Sequence, residues 1–329
     1  MPVKNLRQQK LSMIVDLLYS IFFKILYYTL LLCIFLSICC SLGDTEDNSK
    51  KVKPLILCST TQIADFARQV AGDRCNVISV LSPGSDPHTY QPTTGDAKLA
   101  LDADLCLENG FYLEGKNWMS TLAKDAGKPV VTCAEGVDPI FIESKSETIQ
   151  DPHSWFTPRN AAIYINNIRA AFINLDPDGG YEYTARSDLY LKSLRSLDAW
   201  IREQFNSVPI SERILVTSHD AFNYFATEYG FKNNAPIGWS TGSEVGGGMT
   251  PSRYRLVVES IRGLGVKAVF VETSVNPKLI REIGEAAGVK IGGKLFSDSM
   301  GEAGSAGETY IGMMRENVLT ICKALGKRN

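Results

Sequence analysis

The sequence contains very little histidine, no excess of basic residues and none of the common zinc motifs. Only three histidines occur in 329 residues, at positions 88, 153 and 219. The formal net charge of −2 gives no basic patch, so nucleic acid is excluded as an expected partner. There is no HExxH motif, no CxxC pair and no zinc-ribbon spacing, which removes the usual signatures of zinc proteases and zinc fingers. No short repeat follows residue 54, so a repeat architecture is excluded as well.

Cysteine is present, but its distribution indicates no disulfide framework. Three of the eight cysteines lie near the N-terminus, at Cys33, Cys39 and Cys40. The others form an odd set, namely Cys58, Cys75, Cys106, Cys133 and Cys322. Most of these occur in apolar, strand-like runs, and we interpret them as small buried side chains. A disulfide could form in an oxidising compartment, but the sequence does not indicate which cysteines would pair.

Residues 1–53 differ in composition from the rest of the chain and form a predicted leader and tether. Three basic residues open the segment, at Lys4, Arg7 and Lys10. The uninterrupted apolar run Ile25–Ile38 has the length of a signal-peptide core and is short for a membrane-spanning helix. Gly43–Lys53 is polar and charged, which is typical of a flexible tether.

The apolar run ends in the sequence Leu-Ser-Ile-Cys, which resembles the end of a lipoprotein signal peptide. In such peptides the cysteine becomes the lipidated first residue, so Cys39 is the predicted lipidation site. An uncleaved N-terminal membrane anchor is the alternative. Both interpretations place the remainder of the chain in the cell envelope, either in the periplasm or on the outer face of the plasma membrane.

From Pro54 onward, short apolar runs alternate with helical patterns, which predicts an α/β fold with parallel sheets. The predicted strands are Leu55–Ser59, Asn76–Leu81, Ala103–Glu108 and Val130–Thr132 in the first half, and Arg213–Thr217, Ala268–Glu272 and Lys290–Gly292 in the second. We therefore expect two βαβ lobes, residues 54–177 and 208–329, joined by a linking segment at 178–207.

The linking segment contains one long stretch, Tyr181–Ser207, without glycine or proline. Its apolar residues recur at helical spacing, at Tyr190, Leu194, Leu197, Ile201 and Phe205. At 1.5 Å per residue such a helix would be roughly 40 Å long, about the span of a small domain. An ordinary surface helix would show the same periodicity. The alternative that we favour is a backbone helix joining two lobes, because two histidines precede it and one follows it.

Polar side chains follow the predicted strands, where parallel sheets form their binding sites. His88 lies in the loop after Asn76–Leu81, and His153 precedes a helix that begins near Pro158. The second half contributes His219 after Arg213–Thr217, Glu272 at the end of Ala268–Glu272, and Asp298 after the last strand. Three imidazoles and a carboxylate are a suitable ligand set for a divalent transition metal, so we expect a metal site in the cleft between the lobes.

Each residue also has a simpler interpretation. A single histidine in a loop is more often solvated than ligating, and Asp298 could cap a helix. Asp220 is expected to cap the helix that follows His219. Glu272 could be a ligand, a partner of an arginine or an acceptor that orients His219, and we favour the last.

Three segments resemble the histidine motifs of the cluster A-I metal-binding proteins, the zinc, manganese and iron receptors of bacterial ABC importers. They are SDPHTYQPT at 85–93, DPHSWF at 151–156 and TSHDAFNYF at 217–225. LFSDSMGEAGSAGETYIGMM at 295–314 resembles the fourth motif of the family, which contains a ligating aspartate. The resemblance runs from about Leu55 to Leu325, with the motifs in the family's order.

This resemblance implies the ligand set His88, His153, His219 and Asp298, with two α/β lobes joined by one rigid helix. It also implies a membrane-anchored monomer that delivers its metal to an ABC permease. Members dedicated to manganese often have glutamate in place of His219, and members dedicated to zinc often carry a histidine-rich loop that Cys133–Gln150 lacks. The expected cargo is therefore Zn²⁺ or Mn²⁺, with Fe²⁺ as a further candidate. We expect affinity to fall below about pH 6.5, because ligation requires neutral imidazoles.

Two other functions compete with metal import. A metal-dependent hydrolase of the envelope would need an open metal position and a general base, for which Glu272 is the candidate. Four protein ligands leave little room for water, so we expect a binding protein and not an enzyme. A surface adhesin is the second alternative, although the composition shows no repeat or stalk that would favour it.

Overall fold

The computed structural model describes residues 13, 17–33, 52–143, 148–233, 250–274 and 277–327. The chain divides into two compact units, Met1–Val52 and Lys53–Asn329. In the first unit residues 17–33 are helical. Within the described part of the chain, no helix combines the length and the apolar character needed to cross a membrane. The predicted lipidation site at Cys39 and the tether at Gly43–Lys53 lie outside the described residues, apart from Val52 and Lys53.

The second unit begins with a four-stranded parallel sheet. Its strands are β1 (Leu55–Cys58), β2 (Asn76–Ser79), β3 (Leu105–Glu108) and β4 (Val130–Thr132), in the order β2-β1-β3-β4. Helices α1 (Thr61–Ala71), α2 (Thr94–Asp102) and α3 (Trp118–Asp125) connect them. In β1, Ile56, Leu57 and Cys58 are fully buried, as expected for a strand covered on both faces. This confirms the predicted α/β arrangement of the first lobe.

The second lobe repeats the α/β arrangement with two very short strands and two longer ones. These are β7 (Ile214–Leu215), β8 (Lys232–Asn233), β9 (Ala268–Glu272) and β10 (Lys290–Leu295), with α6 (Asn223–Tyr229), α7 (Pro251–Leu264) and α8 (Pro277–Ala287) between them. Strands β7 and β8 pair in parallel, as do β9 and β10. The N–H of Phe270 donates to the carbonyl of Val216 at 2.8 Å, which places β9 beside β7. The final helix, α9 (Tyr310–Leu325), covers β10.

A small antiparallel hairpin was not predicted from the sequence. Strands β5 (Phe141–Glu143) and β6 (Thr148–Gln150) have three residues each, too few to show a two-residue alternation. The hairpin leads into Asp151, whose N–H donates to the carbonyl of Ile140 at 2.8 Å. The long helix α4 (Pro158–Leu175) follows.

The predicted linking helix is α5 (Gly180–Gln204), and a single 3₁₀ turn, Phe205–Ser207, continues it. It packs against α1 and α4 of the first lobe and against α9 of the second. All five apolar positions of its predicted face are buried: Tyr190, Leu194, Leu197, Ile201 and Phe205. The alternative of an ordinary surface helix is therefore wrong, because this helix contributes one face to the core shared by both lobes.

Both ends of α5 are fixed by arginines. Asp176, just before the helix, accepts hydrogen bonds from Arg74 (2.7 and 2.9 Å) and from the hydroxyl of Tyr183 (2.9 Å). At the other end, Arg213 donates to the carbonyl of Phe205 at 2.7 Å. These contacts connect each end of the helix to the chain around it.

The cysteines beyond the leader are free thiols. Cys58, Cys75, Cys106 and Cys133 are buried, and Cys322 is half-buried. This agrees with the interpretation of these residues as small apolar side chains. Burial also raises the pKa of Cys106 to about 11, which keeps its thiol protonated and unreactive at neutral pH.

The burial pattern of α5 generates a stability prediction. Leu194→Ala should lower the free energy of unfolding by about 2–5 kcal/mol, because it removes a side chain that is 2% exposed and leaves a cavity. Leu189→Ala on the same helix is the matched control; Leu189 is 63% exposed, and we expect a change within about 0.5 kcal/mol. Urea unfolding of the metal-free protein measures both, and equal losses would contradict the assignment of the buried face.

Candidate metal centre

The three histidines and Asp298 lie at the loop ends of the two sheets. His88 follows β2, and His153 follows β6 and the hairpin; both belong to the first lobe. His219 follows β7 and Asp298 follows β10, both in the second lobe. His153, His219 and Asp298 are 1–3% exposed, and the side chain of His88 is 11% exposed. Two buried or nearly buried side chains from each lobe therefore face each other across the cleft.

The four side chains converge on one point. One ligand atom from each lies within 4.8 Å of the others. Nε2 of His153 lies 3.2 Å from Nε2 of His88 and 3.4 Å from Oδ1 of Asp298. Nε2 of His219 lies 3.2 Å from Oδ2 of Asp298. Ligands at about 2.0–2.1 Å from a tetrahedral ion are about 3.4 Å apart, so these separations fit a transition metal.

Two carboxylates contact the opposite edges of the imidazole rings. Oδ1 of Asp151 lies 2.7 Å from Nδ1 of His153, and Oε2 of Glu272 lies 2.6 Å from Nδ1 of His219. A carboxylate at Nδ1 fixes the proton there and turns Nε2 toward the centre. Glu272 also accepts the backbone N–H of His219 at 2.9 Å, so it holds both the ring and the main chain.

Asp151 is a functional residue that the sequence analysis missed. A signal was present in the sequence, because the tripeptide Asp-Pro-His occurs twice, at residues 86–88 and 151–153. In both copies the backbone N–H of the histidine donates to the aspartate carboxylate. His88 donates to Asp86 at 2.8 Å, and His153 donates to Asp151 at 2.9 Å. Only Asp151 also reaches the ring, because its copy of the tripeptide is buried.

The carbonyls of the intervening prolines are also held by side chains of the first lobe. Nε1 of Trp118 donates to Pro87 at 3.1 Å, and Nδ2 of Asn109 donates to Pro152 at 2.9 Å. Asn109 is fully buried, and its N–H donates to Glu114 at 2.7 Å. The two contacts with the proline carbonyls connect residues 31 and 43 positions apart in the sequence, so no local pattern could indicate them.

The expected role of Asp220 as a helix cap is wrong. Helix α6 begins at Asn223, its N-cap residue is Phe222, and no side chain caps it. The carbonyl of Asp220 instead accepts a hydrogen bond from Nδ2 of Asn223 at 2.9 Å. The helix starts two residues later than predicted, which puts the Asp220 side chain out of reach of its first turn.

The carboxylates control the charge of the imidazoles. Burial lowers the pKa of His88 to about 4. Burial also opposes protonation of His153, but the adjacent Asp151 carboxylate outweighs it and raises this pKa to about 9. The pKa of His219 is likewise raised well above its usual range, since Asp298 and Glu272 outweigh burial. The pKa of Asp298 is held well below its usual range because the imidazoles His219 and His153 outweigh its burial. The metal-free centre therefore holds protons at neutral pH that a cation must displace.

Comparison with known proteins places the chain in a family. Residues 56–324 match the family described as "Zinc-uptake complex component A periplasmic". The chain belongs to this family of metal-binding components of ABC importers.

Similar proteins are named for different metals, namely manganese, iron and zinc. The chain is 33% identical over 314 residues to the manganese ABC transporter substrate-binding lipoprotein of Streptococcus gordonii, covering 92% of this chain and 99% of the relative. It is 37% identical over 290 residues to the iron-binding protein YfeA of Yersinia pestis, covering 87% and 90%. Among solved structures, the periplasmic zinc-binding protein TroA of Treponema pallidum matches with a TM-score of 0.77 and 31% identity, covering 84% and 100%. The two-lobed fold is shared with this structure.

The raised pKa values generate a pH prediction. A metal can bind Nε2 only after its proton leaves, so binding near pH 7 should release about one or two protons per ion. Affinity should then rise from pH 6 to at least about pH 9, the pKa of His153, because His219 must lose its proton too and its pKa is also raised. From the sequence alone we expected affinity to fall only below about pH 6.5. Because the carboxylates raise the pKa values of His153 and His219, we now expect the fall to begin at a higher pH.

Titration calorimetry at pH 7 in two buffers of different ionisation enthalpy counts the released protons. Chelator competition between pH 6 and 9 measures the affinity. A proton count of zero together with a flat affinity profile would contradict this account of the imidazole charges.

Proposed function

We propose that this chain captures a divalent transition metal, Zn²⁺ or Mn²⁺, outside the cytoplasm and delivers it to an ABC permease. The observation that supports this most directly is the convergence of four ligand atoms from two lobes within 4.8 Å. Family membership supplies the transport context, because its members are substrate-binding components of importers.

In this proposal, Nε2 of each histidine and the carboxylate of Asp298 bind the metal. Asp151 and Glu272 are not ligands; each holds a histidine ring through Nδ1 and increases its basicity. The first lobe, residues 54–177, contributes His88 and His153. The second lobe, residues 208–329, contributes His219 and Asp298, and the linking segment 178–207 limits how far the lobes separate.

The donor set fits more than one metal. Three imidazoles and a carboxylate suit Zn²⁺ and also accept Mn²⁺ or Fe²⁺. By the order of affinities of divalent metals, Zn²⁺ should bind more tightly than Mn²⁺ or Fe²⁺ in vitro. Relatives named for manganese and for iron support a cargo that depends on the metal available to the cell.

The site of action is the outer face of the plasma membrane or the periplasm. The N-terminal segment tethers the chain there, through a lipid at Cys39 or as an uncleaved anchor. Curated relatives named as lipoproteins support the first alternative. A monomer suits this role, since one chain supplies all four ligands.

Two substitutions test the ligand set. His219→Ala and Asp298→Asn should each weaken Zn²⁺ and Mn²⁺ binding by at least about 100-fold, because each leaves an incomplete coordination shell. Competitive titration with a chromogenic chelator measures the affinities, and elemental analysis of protein from its own envelope identifies the cargo.

Asp188→Asn is the matched control for Asp298→Asn. Asp188 is an exposed carboxylate on α5, paired with Arg169 at 3.3 Å. We expect wild-type affinity for this variant. Wild-type affinity in both ligand variants would refute the proposed site.

A further inference from the structure

Two polar side chains at the start of α1 are buried against the opposite lobe. Thr61 and Gln62 are only 7% and 2% exposed. Both belong to the first turn of α1, and threonine and glutamine side chains are mostly found on protein surfaces. Thr61 and Gln62 form hydrogen bonds with each other and with the backbone of Ser297 and Met300. Their backbone partners lie in the loop after β10, which carries Asp298.

The contacts form a continuous chain of hydrogen bonds. The N–H of Met300 donates to Oγ1 of Thr61 at 2.9 Å, and this hydroxyl donates to Oε1 of Gln62 at 3.1 Å. Nε2 of Gln62 then donates to the carbonyl of Ser297 at 3.0 Å. The first lobe therefore binds the backbone on both sides of Asp298, one residue before it and two residues after it.

A further contact joins this loop to the segment that carries His88. The N–H of Gly84 donates to Oγ of Ser299 at 2.8 Å. From within the second lobe, Asn317 binds both the N–H and the carbonyl of Phe296 at 2.8 Å. Asn317 can hold the loop whatever the distance between the lobes, whereas the Thr61, Gln62 and Gly84 contacts require the lobes to lie close together.

We propose that Gln62, acting with Thr61, is a positioning residue that holds Asp298 in its ligating position while the lobes are together, and so slows metal release. This inference rests on the proposed metal-binding function. The amide is suited to the task because it must donate to Ser297 and accept from Thr61 at once. If the lobes separated, the amide would exchange the carbonyl of Ser297 for water, so this contact adds the net stability of one buried hydrogen bond to the closed arrangement.

The test is the rate of metal release from the Zn²⁺-loaded, full-length protein, measured by stopped-flow mixing with excess chelator. Gln62→Met keeps the volume of the side chain but removes the hydrogen bond. We expect release to accelerate about tenfold, equivalent to about 1.4 kcal/mol, with the association rate changed by less than about twofold. A faster release rate with an unchanged association rate distinguishes a positioning role from a general loss of structure. A general loss of structure would alter both rates and the melting temperature of the metal-free protein.

Gln69→Met is the matched control. It is the same substitution on the same helix, and Gln69 donates to Oδ1 of Asp65 at 3.2 Å, also on α1. We expect release within about twofold of the wild-type rate. Equal acceleration by Gln69→Met and Gln62→Met would overturn the inference, because it would indicate a loosened helix and not a lost contact between lobes.

A second pair of variants, at Thr61, tests the same contact if Gln62→Met fails to fold. Thr61→Val removes the hydroxyl at nearly constant volume and should accelerate release in the same direction, whereas Thr61→Ser keeps the hydroxyl and should restore the wild-type rate. Wild-type release rates in both Gln62→Met and Thr61→Val would refute the positioning role and leave the metal-binding function standing. Failure of the wild-type protein to bind Zn²⁺ or Mn²⁺ would refute the proposed function itself.

Discussion

The structure depends on one buried carboxylate surrounded by imidazoles. Asp298 is 3% exposed, and its two oxygens face Nε2 of His153 and of His219 at 3.4 and 3.2 Å. A charge so far from solvent is stable only when opposite charge lies beside it. In the metal-free protein, protons on the imidazoles supply that charge. In the proposed metal-bound form a divalent cation would supply that charge instead, since one ligand atom from each of the four groups lies within 4.8 Å of the others.

The rest of the fold holds these four groups at the correct separation. Parallel sheets place the loops after their strands at one edge, and α5 joins the two lobes through a shared core. Asp151 and Glu272 fix the ring orientations, while Asn109 and Trp118 hold the backbone next to His153 and His88.

Elements with strong local signals were predicted well. Strands β4 and β9 occupy the predicted residues because they are short apolar runs, and α4 begins at Pro158 as predicted because proline marks its start. The hairpin at 141–150 was missed, since three-residue strands carry no periodicity. The expected cap at Asp220 was wrong because α6 begins only at Asn223, with Phe222 and not Asp220 at the N-cap position. Local pattern therefore located the elements, but it could not predict how the loops between them turn.

By itself the sequence determined the α/β class, the linking helix and the identity of the four candidate ligands, because strand and helix periodicity and the order of the histidine motifs are local properties of the chain. Only the tertiary structure decided which groups surround those ligands. The contacts of Asp151 with His153 and of Glu272 with His219 set the imidazole charges, and those of Gln62 with Ser297 join the lobes. Hydrogen bonds between residues as far apart as Gln62 and Ser297 depend on how two lobes pack, and packing is a property of the whole chain.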